Sequence, residues 1–191
     1  TTLFRSCRLL AINLYSYVVN PFKPDAYFDF DLFKNHVALA QRIMDDIIDL
    51  ELEKIERIMA KIDSDPENED VKHTESVLWQ KIYKKSGQGR RTGVGITAEG
   101  DMLAALGLRY GTEEATEFAE KVHQTVALSA YRSSVEMAKE RGAFEVYDSE
   151  REKNNPFINR LREADPELYE EMKKYGRRNI ACQTHHQIGR A

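Results

Sequence analysis

The sequence predicts an α/β fold that is mostly helical, with about three short buried strands. Three observations carry this. Runs rich in β-branched and aliphatic residues stand at 9–19, 92–97 and 178–182. The segments between them repeat apolar residues at spacings of three and four, the helical period. Each crossover is far too long for a hairpin, so the strands are expected to pair parallel, in a sheet or a barrel. Three strands cannot close a barrel, which points to a remainder outside this stretch.

Residues 9–19 stop at Asn20-Pro21 and read as one buried strand. Pro21 and Pro24 forbid a helix through residues 20–27. Over 29–63 the pattern turns helical: Phe33, Val37, Ala40, Met44, Ile47 and Ile48 form one stripe, which Ile55, Ile58 and Ile62 extend. A polar turn around Pro66 follows. A second helix over 71–85 is expected to turn Val71, Thr74, Leu78 and Ile82 inward, with Gly87 and Gly89 closing it. Thr92–Thr97 contains two glycines and reads as a strand closely approached by other backbone.

A short helix over 99–106 ends at Gly107. Thr112, followed by Glu113 and Glu114, opens a long helix, because a capping hydroxyl and acids suit its positive end. Its buried stripe is Ala115, Phe118, Ala119, Val122, Val126, Ala130 and Met137, and Gly142 ends it. Asp165-Pro166-Glu167 opens a further helix, which Lys173, Lys174 and Gly176 finish. Residues 178–182 begin the third strand.

The net charge is −4 with acids and bases interleaved, so no basic stripe marks a nucleic-acid surface. No apolar run approaches the roughly 20 residues of a membrane span, and no signal-peptide pattern stands at the start. Two cysteines, Cys7 and Cys182, are too few for a disulfide framework. A reducing, cytoplasmic setting is expected. Taken alone, each cysteine reads as a buried thiol acting as a small hydrophobe.

The two ends carry another signal. Residues 1–6 back-translate to ACG ACG CTC TTC CGA TCT, the end of a common sequencing-library adapter, and residues 187–191 to CAG ATC GGA AGA GC, its reverse complement. Residues 1–6 and 183–191 are therefore expected to be adapter or read error and are set aside from functional reasoning.

Glu120-x-x-His123 and Asp70-x-x-His73 have the spacing of di-iron bundle ligands. The second pair has Asp for Glu at a helix edge, and His123 adjoins the core position Val122, so a solvated or half-buried histidine is expected and no metal site. Asp45, Asp46, Asp49, Glu51 and Glu53 read as a solvated acidic face: Asp45 and Asp49 share a side of the helix, but Asp46 and Glu53 project from other angles. Gly93-x-Gly95 lacks the third glycine of a dinucleotide loop, position 98 being Ala98. Cys182, His185 and His186 supply at most three ligands, two of them in the tail set aside.

Two blocks give the pattern meaning. Cys7-Arg-Leu-Leu-Ala-Ile-Asn-Leu-Tyr-Ser-Tyr17 resembles the strand of ribonucleotide reductase large chains that carries one cysteine of the redox pair. Gly89-Arg-Arg-Thr-Gly-Val-Gly-Ile-Thr-Ala-Glu-Gly-Asp-Met102 is similar to the family's Gly-Arg-Arg strand and following helix. Beyond them, Glu136-Met-Ala-Lys-Glu-Arg-Gly-Ala-Phe144 resembles a helix end of that family. Tyr175-Gly-Arg-Arg-Asn-Ile-Ala181 resembles the strand that leads into its phosphate-holding Ala-Pro-Thr-Gly-Thr loop. The chain departs from the pattern at Gln183-Thr184-His185-His186, where that loop would begin.

The resemblance implies that residues 7–182 are a fragment of the family's ten-stranded α/β barrel. It implies reduction of a ribonucleoside diphosphate by thiyl-radical chemistry, with Cys7 as one member of the redox pair. The Tyr27-Phe-Asp-Phe-Asp-Leu-Phe33 helix start looks most like the adenosylcobalamin-dependent diphosphate reductases. Adenosylcobalamin, a thioredoxin-type reductant, nucleotide effectors and a homodimeric parent are thereby implied. Relatives that draw their radical from a di-iron subunit share the barrel and are the alternative. A helical interaction module without catalysis is the alternative from a different class. The stretch alone is expected to be inactive, because the radical cysteine, the pair's other cysteine and the phosphate loop lie elsewhere in the family.

Overall fold

The structure, a computed structural model, describes residues 8–183. β1 (Arg8–Asn13) is shorter than the expected strand over 9–19. The side chain of Asn13 accepts a hydrogen bond from the Tyr15 amide at 3.0 Å and turns the chain into a 3-10 turn, Leu14–Tyr17. This buries Leu14 and Tyr17. β2 (Val18–Val19) and β3 (Tyr27–Phe28) then form a small antiparallel pair that the apolar pattern did not distinguish from the strand before it.

α1 (Phe30–Ser64) starts where Asp29 accepts a hydrogen bond from the Leu32 amide at 2.9 Å. Its buried face is the expected stripe of Phe33, Val37, Ala40, Met44, Ile48, Ile55 and Ile62, while Ile58 is only half-buried and Ile47 departs from it. Ile47 is exposed, because neighbouring residues on a helix point about 100° apart and Ile48 already occupies the inner face.

α2 (Glu69–Gly89) is where the expected inward face fails. Val71, Thr74 and Leu78 are exposed, and Ile82 is half-buried beside Tyr83. The helix packs back on α1 rather than on the sheet, so Gly89 alone among its residues is fully buried. Shallow burial leaves the phase of a helix weakly written in its apolar residues.

β4 (Thr92–Thr97) pairs parallel with β1, Arg8 opposite Thr92 and Asn13 opposite Thr97. The long α1–α2 crossover thus does what its length predicted. α3 (Glu99–Ala105) and α4 (Glu113–Arg141) follow, the latter capped by Thr112 and ended by Gly142 as expected. Two short helices, α5 (Ser149–Glu152) and α6 (Pro156–Ala164), precede α7 (Pro166–Tyr175).

The third expected strand, at 178–182, forms only in part. The amides of Thr92 and Val94 donate to the carbonyls of Ala181 and Cys182 at 3.0 and 2.9 Å, and a single parallel bridge joins Val94 to Gln183. The described residues therefore give three parallel chain segments, β1 beside β4 beside 181–183, and not a closed barrel. α1 packs against β1, β4 and α4. Leu10 and Ile12 join the core on this side, while Leu9, Ala11 and Asn13 alternate onto an open face. An aromatic cluster of Tyr17, Phe28, Phe30, Phe33 and Phe118, with ring centroids 4.8–6.0 Å apart, closes one end of the core. No helix of the described residues is long and apolar enough to cross a membrane.

Phe33 is fully buried whereas Leu39 on the same helix is 54% exposed. Phe33→Ala is expected to cost about 3–5 kcal/mol of unfolding free energy, and Leu39→Ala to stay within about 0.5 kcal/mol. Urea denaturation of the two variants checks this, and equal losses would contradict the assignment of the inner face.

Candidate functional site

Cys7, the residue expected to carry redox chemistry, lies outside the described residues. The chain enters the structure one residue later, at Arg8, the first residue of β1. What the structure describes is how the amino ends of the parallel segments are held there. Arg8 pairs with Glu51 of α1, and its guanidinium donates to the Ser86 hydroxyl of α2 at 3.4 Å.

Across the sheet, the start of β4 is fixed by a buried polar network centred on Asp45. This carboxylate is fully buried. Its Oδ1 accepts hydrogen bonds from Arg90 Nε and Asn179 Nδ2, both at 2.8 Å, and its Oδ2 accepts from Arg178 Nε at 3.3 Å. Arg141 stands 3.6 Å from the same oxygen. Arg90 donates further to the Asp45 backbone carbonyl at 3.0 Å and to Asp49 at 2.7 Å. Burial works against the charge on Arg90, and the hydrogen bonds it donates to Asp45 and Asp49 outweigh it, so its pKa is raised.

The expectation of a solvated acidic face is therefore corrected at Asp45. Asp46 and Asp49 keep half-exposed side chains, but Asp45 points into the α1–β4 junction. Asp45, Asp46 and Asp49 are close enough to hold a cation formally, yet the oxygens of Asp45 already face arginines. The sequence carried a usable signal. Asp45 adjoins Met44 and stands three residues before Ile48, on the apolar stripe rather than opposite it. Two Gly-Arg-Arg triplets, at 89–91 and 176–178, supply two of its partners, Arg90 and Arg178.

Arg90 adopts the left-handed conformation that caps α2, φ 45° and ψ 57°. Glycine would fit that backbone more easily, and the four hydrogen bonds of its guanidinium and carbonyl to Asp45, Asp49 and Asn179 offset the strain. Asn179 completes the network. It accepts from Gln41 and Ser134 at 2.9 and 2.8 Å, and Gln41 also donates to the Thr92 hydroxyl at 2.9 Å. One carboxylate on α1 thus ties the entry to β4 to the entry of the 179–183 segment.

The other singled-out residues play smaller parts. His123 lies 3.3 Å from Glu99, with over a third of its side chain exposed, and His73 is exposed. Arg177 is buried against Glu152, with its guanidinium over the rings of Tyr131, Phe144 and Tyr147 at 5.4–5.7 Å. Cys182 is fully buried beside this group. Burial pushes its thiol up to about 12, with the Arg177 charge and the Ser134 hydroxyl opposing.

Cys182 thus conforms to the bland reading, a small hydrophobe, and is expected to be inert. Because its folded value lies above the ordinary 9.0, the stability it lends is complete below pH 9 and is lost as pH rises toward about 12. Iodoacetamide at pH 9 should label Cys182 only after denaturation. Labelling in the native chain at the rate of a free thiol would contradict this placement.

The family described as "Ribonucleotide reductase, barrel domain" matches residues 2–184. The vitamin B12-dependent ribonucleoside-diphosphate reductase of Thermoplasma acidophilum is 32% identical over 151 residues, covering 78% of this chain and 16% of that protein. The protein of the same name from Mycobacterium tuberculosis is 26% identical over 148 residues, covering 78% of this chain and 17% of its own length. The ribonucleoside-diphosphate reductase subunit alpha of Chlamydia pneumoniae is 27% identical over 141 residues, covering 74% and 11%. The chain spans about one sixth of the first two relatives. With the parallel β1–β4 pair joined by its helical crossover, and the two arginine triplets in place, the chain belongs to the ribonucleotide reductase barrel-domain family.

Proposed function

We propose that this chain is part of a ribonucleoside-diphosphate reductase in which Cys7 is one thiol of the redox pair. The observation that supports it best is the family match over residues 2–184, with Cys7 directly ahead of a strand whose start is anchored to the helical layer. In this reading the substrate is a ribonucleoside diphosphate and the chemistry is radical. A thiyl radical on a cysteine elsewhere in the parent takes the 3'-hydrogen. The pair then supplies two electrons: two thiols become a disulfide, the 2'-hydroxyl leaves as water, and a hydrogen takes its place. A thioredoxin-type dithiol restores the pair.

The names of the Thermoplasma and Mycobacterium relatives support adenosylcobalamin as the cofactor. When bound, it supplies the radical that starts the reaction. The described residues do not fit it. Among the described residues, two grooves, of about 610 Å³ between β4, α4 and α6 and about 710 Å³ between α1 and α4, have no lining side chain with a buried polar atom lacking a partner. No step is therefore assigned to this stretch through the cofactor. By itself the stretch is inactive in this reading, because only one of the reacting groups belongs to it. A cytoplasmic, homodimeric parent governed by nucleotide effectors belongs to the same reading.

The Chlamydia relative, named as a subunit alpha, favours a second reading in which the large chain works with a separate subunit. Dependence of the full-length parent's turnover on added adenosylcobalamin separates the two. For the redox role, Cys7→Ser in the parent is expected to abolish multiple turnover with a thioredoxin-type reductant while leaving the fold intact. Unchanged turnover would remove Cys7 from the pair.

A further inference from the structure

We propose that residues 144–155 form a strap that opens as a unit while the rest of the fold stays closed, and that the Glu152–Arg177 pair is its latch. The inference rests on described residues alone and is independent of the redox reading above. α4 ends at Gly142, and the chain then crosses the start of the third parallel segment before α6 begins. Three residues fasten the crossing. Phe144 is buried, and its amide donates to the Arg177 carbonyl at 3.0 Å. The Tyr147 ring meets that of Phe144 edge-on, centroids 5.5 Å apart, and its hydroxyl donates to the Met172 carbonyl at 2.7 Å. Glu152, in α5, accepts from the Arg177 guanidinium with both carboxylate oxygens.

Between these points the strap has little to hold it. Glu145, Val146, Arg151 and Lys153 are exposed, and so is the 3.1 Å hydrogen bond that Gln88 donates to Glu145. Segments with few buried apolar contacts open at a lower free energy than the whole fold. The latch itself is asymmetric. Arg177 is enclosed by the rings of Tyr131, Phe144 and Tyr147, two of them from the strap, whereas 20% of the Glu152 side chain reaches solvent. Among the described residues Glu152 is the carboxylate that pairs with Arg177. A buried cation without its partner is costly, so the departure of Glu152 and the turning of Arg177 toward water are one event. Residues 178–179 are held from the other side. Their amides donate to the Ser134 carbonyl and hydroxyl at 2.9 and 3.0 Å, and their side chains reach Asp45. Opening therefore releases the carbonyls of Asn179 and Ile180, which Arg177 holds at 3.1 and 3.2 Å, and leaves the Asp45 network in place.

Amide hydrogen exchange in the full chain, followed through low urea concentrations, provides the test. The Phe144 amide is expected to exchange through an opening whose urea dependence is less than about half that of Arg178 and Asn179, because the slope scales with the surface exposed. Phe33→Ala, which weakens the core away from the strap, is expected to speed exchange at Arg178 and Asn179 and to leave Phe144 unchanged without urea. Glu152→Gln keeps the shape of the latch and removes its charge. It is expected to speed exchange at Phe144, eight residues away, at least about tenfold, since it leaves Arg177 buried without a counter-ion. Phe144 exchanging with the rate and urea dependence of Arg178 and Asn179 overturns the strap. Unchanged Phe144 exchange in a folded Glu152→Gln chain overturns the latch. If that variant does not fold, Tyr147→Phe decides: loss of its bond to Met172 is expected to speed Phe144 exchange about fivefold, and no acceleration contradicts the inference.

Discussion

A single carboxylate, buried in the layer between helix and sheet, organises this chain. Asp45 takes hydrogen bonds from Arg90, Arg178 and Asn179, and each of these precedes a segment that runs parallel in the sheet or continues into one. A buried charge is costly to desolvate, and only well-directed partners offset that cost. The arrangement is therefore favourable in one register only. Slide β4 by a residue, and Arg90 no longer reaches Asp45 while Thr92 loses Gln41. Such a slip would also turn the inward side chains of β4 outward, so the network reinforces a register that the core already favours. Its contribution is specificity of register more than net stability.

Around that point the fold follows ordinary rules. α1 and α4 cover one face of the parallel pair with Phe33, Val37, Met44, Val122 and Val126, and the cap residues Asp29, Thr112, Asn155 and Asp165 set where helices begin. The other face, with Leu9, Ala11 and Asn13 exposed, belongs to the same strand whose first residue follows Cys7. Arg178 meanwhile donates to the terminal carbonyls of α4 at Arg141 and Gly142, joining a helix end to the same network. The helices, the sheet and the polar cluster are one mechanical unit.

Much of this was legible in the sequence. Long periodic helices, their caps and the strand Thr92–Thr97 were read within a residue or two, and the length of the crossovers gave parallel pairing. α5 and α6 were missed, although Asn155-Pro156 is the same start signal as Asp165-Pro166. The break in the first strand was missed because Leu14 and Tyr17 are as apolar as a strand requires, and a side-chain hydrogen bond from the Tyr15 amide to Asn13 made the turn. The inward face of α2 was misread because little of that helix is buried. At the site, the resemblance pointed to Cys7, outside the described residues, but charge counting hid Asp45. Five acids in a short span suggest a solvated surface, and that count masks the place of Asp45 on the apolar stripe between Met44 and Ile48.

The register of the sheet depends on Asp45 and Arg90 acting as one unit. A double-mutant cycle of Asp45→Asn and Arg90→Met, followed by urea denaturation, measures this directly. Each single change leaves the other partner buried and unsatisfied and is expected to cost about 3–5 kcal/mol. The double variant is expected to cost less than the sum by about 2 kcal/mol or more. Losses that simply add, within about 0.5 kcal/mol, would mean that the two groups do not depend on each other and that the register is set by the apolar core alone.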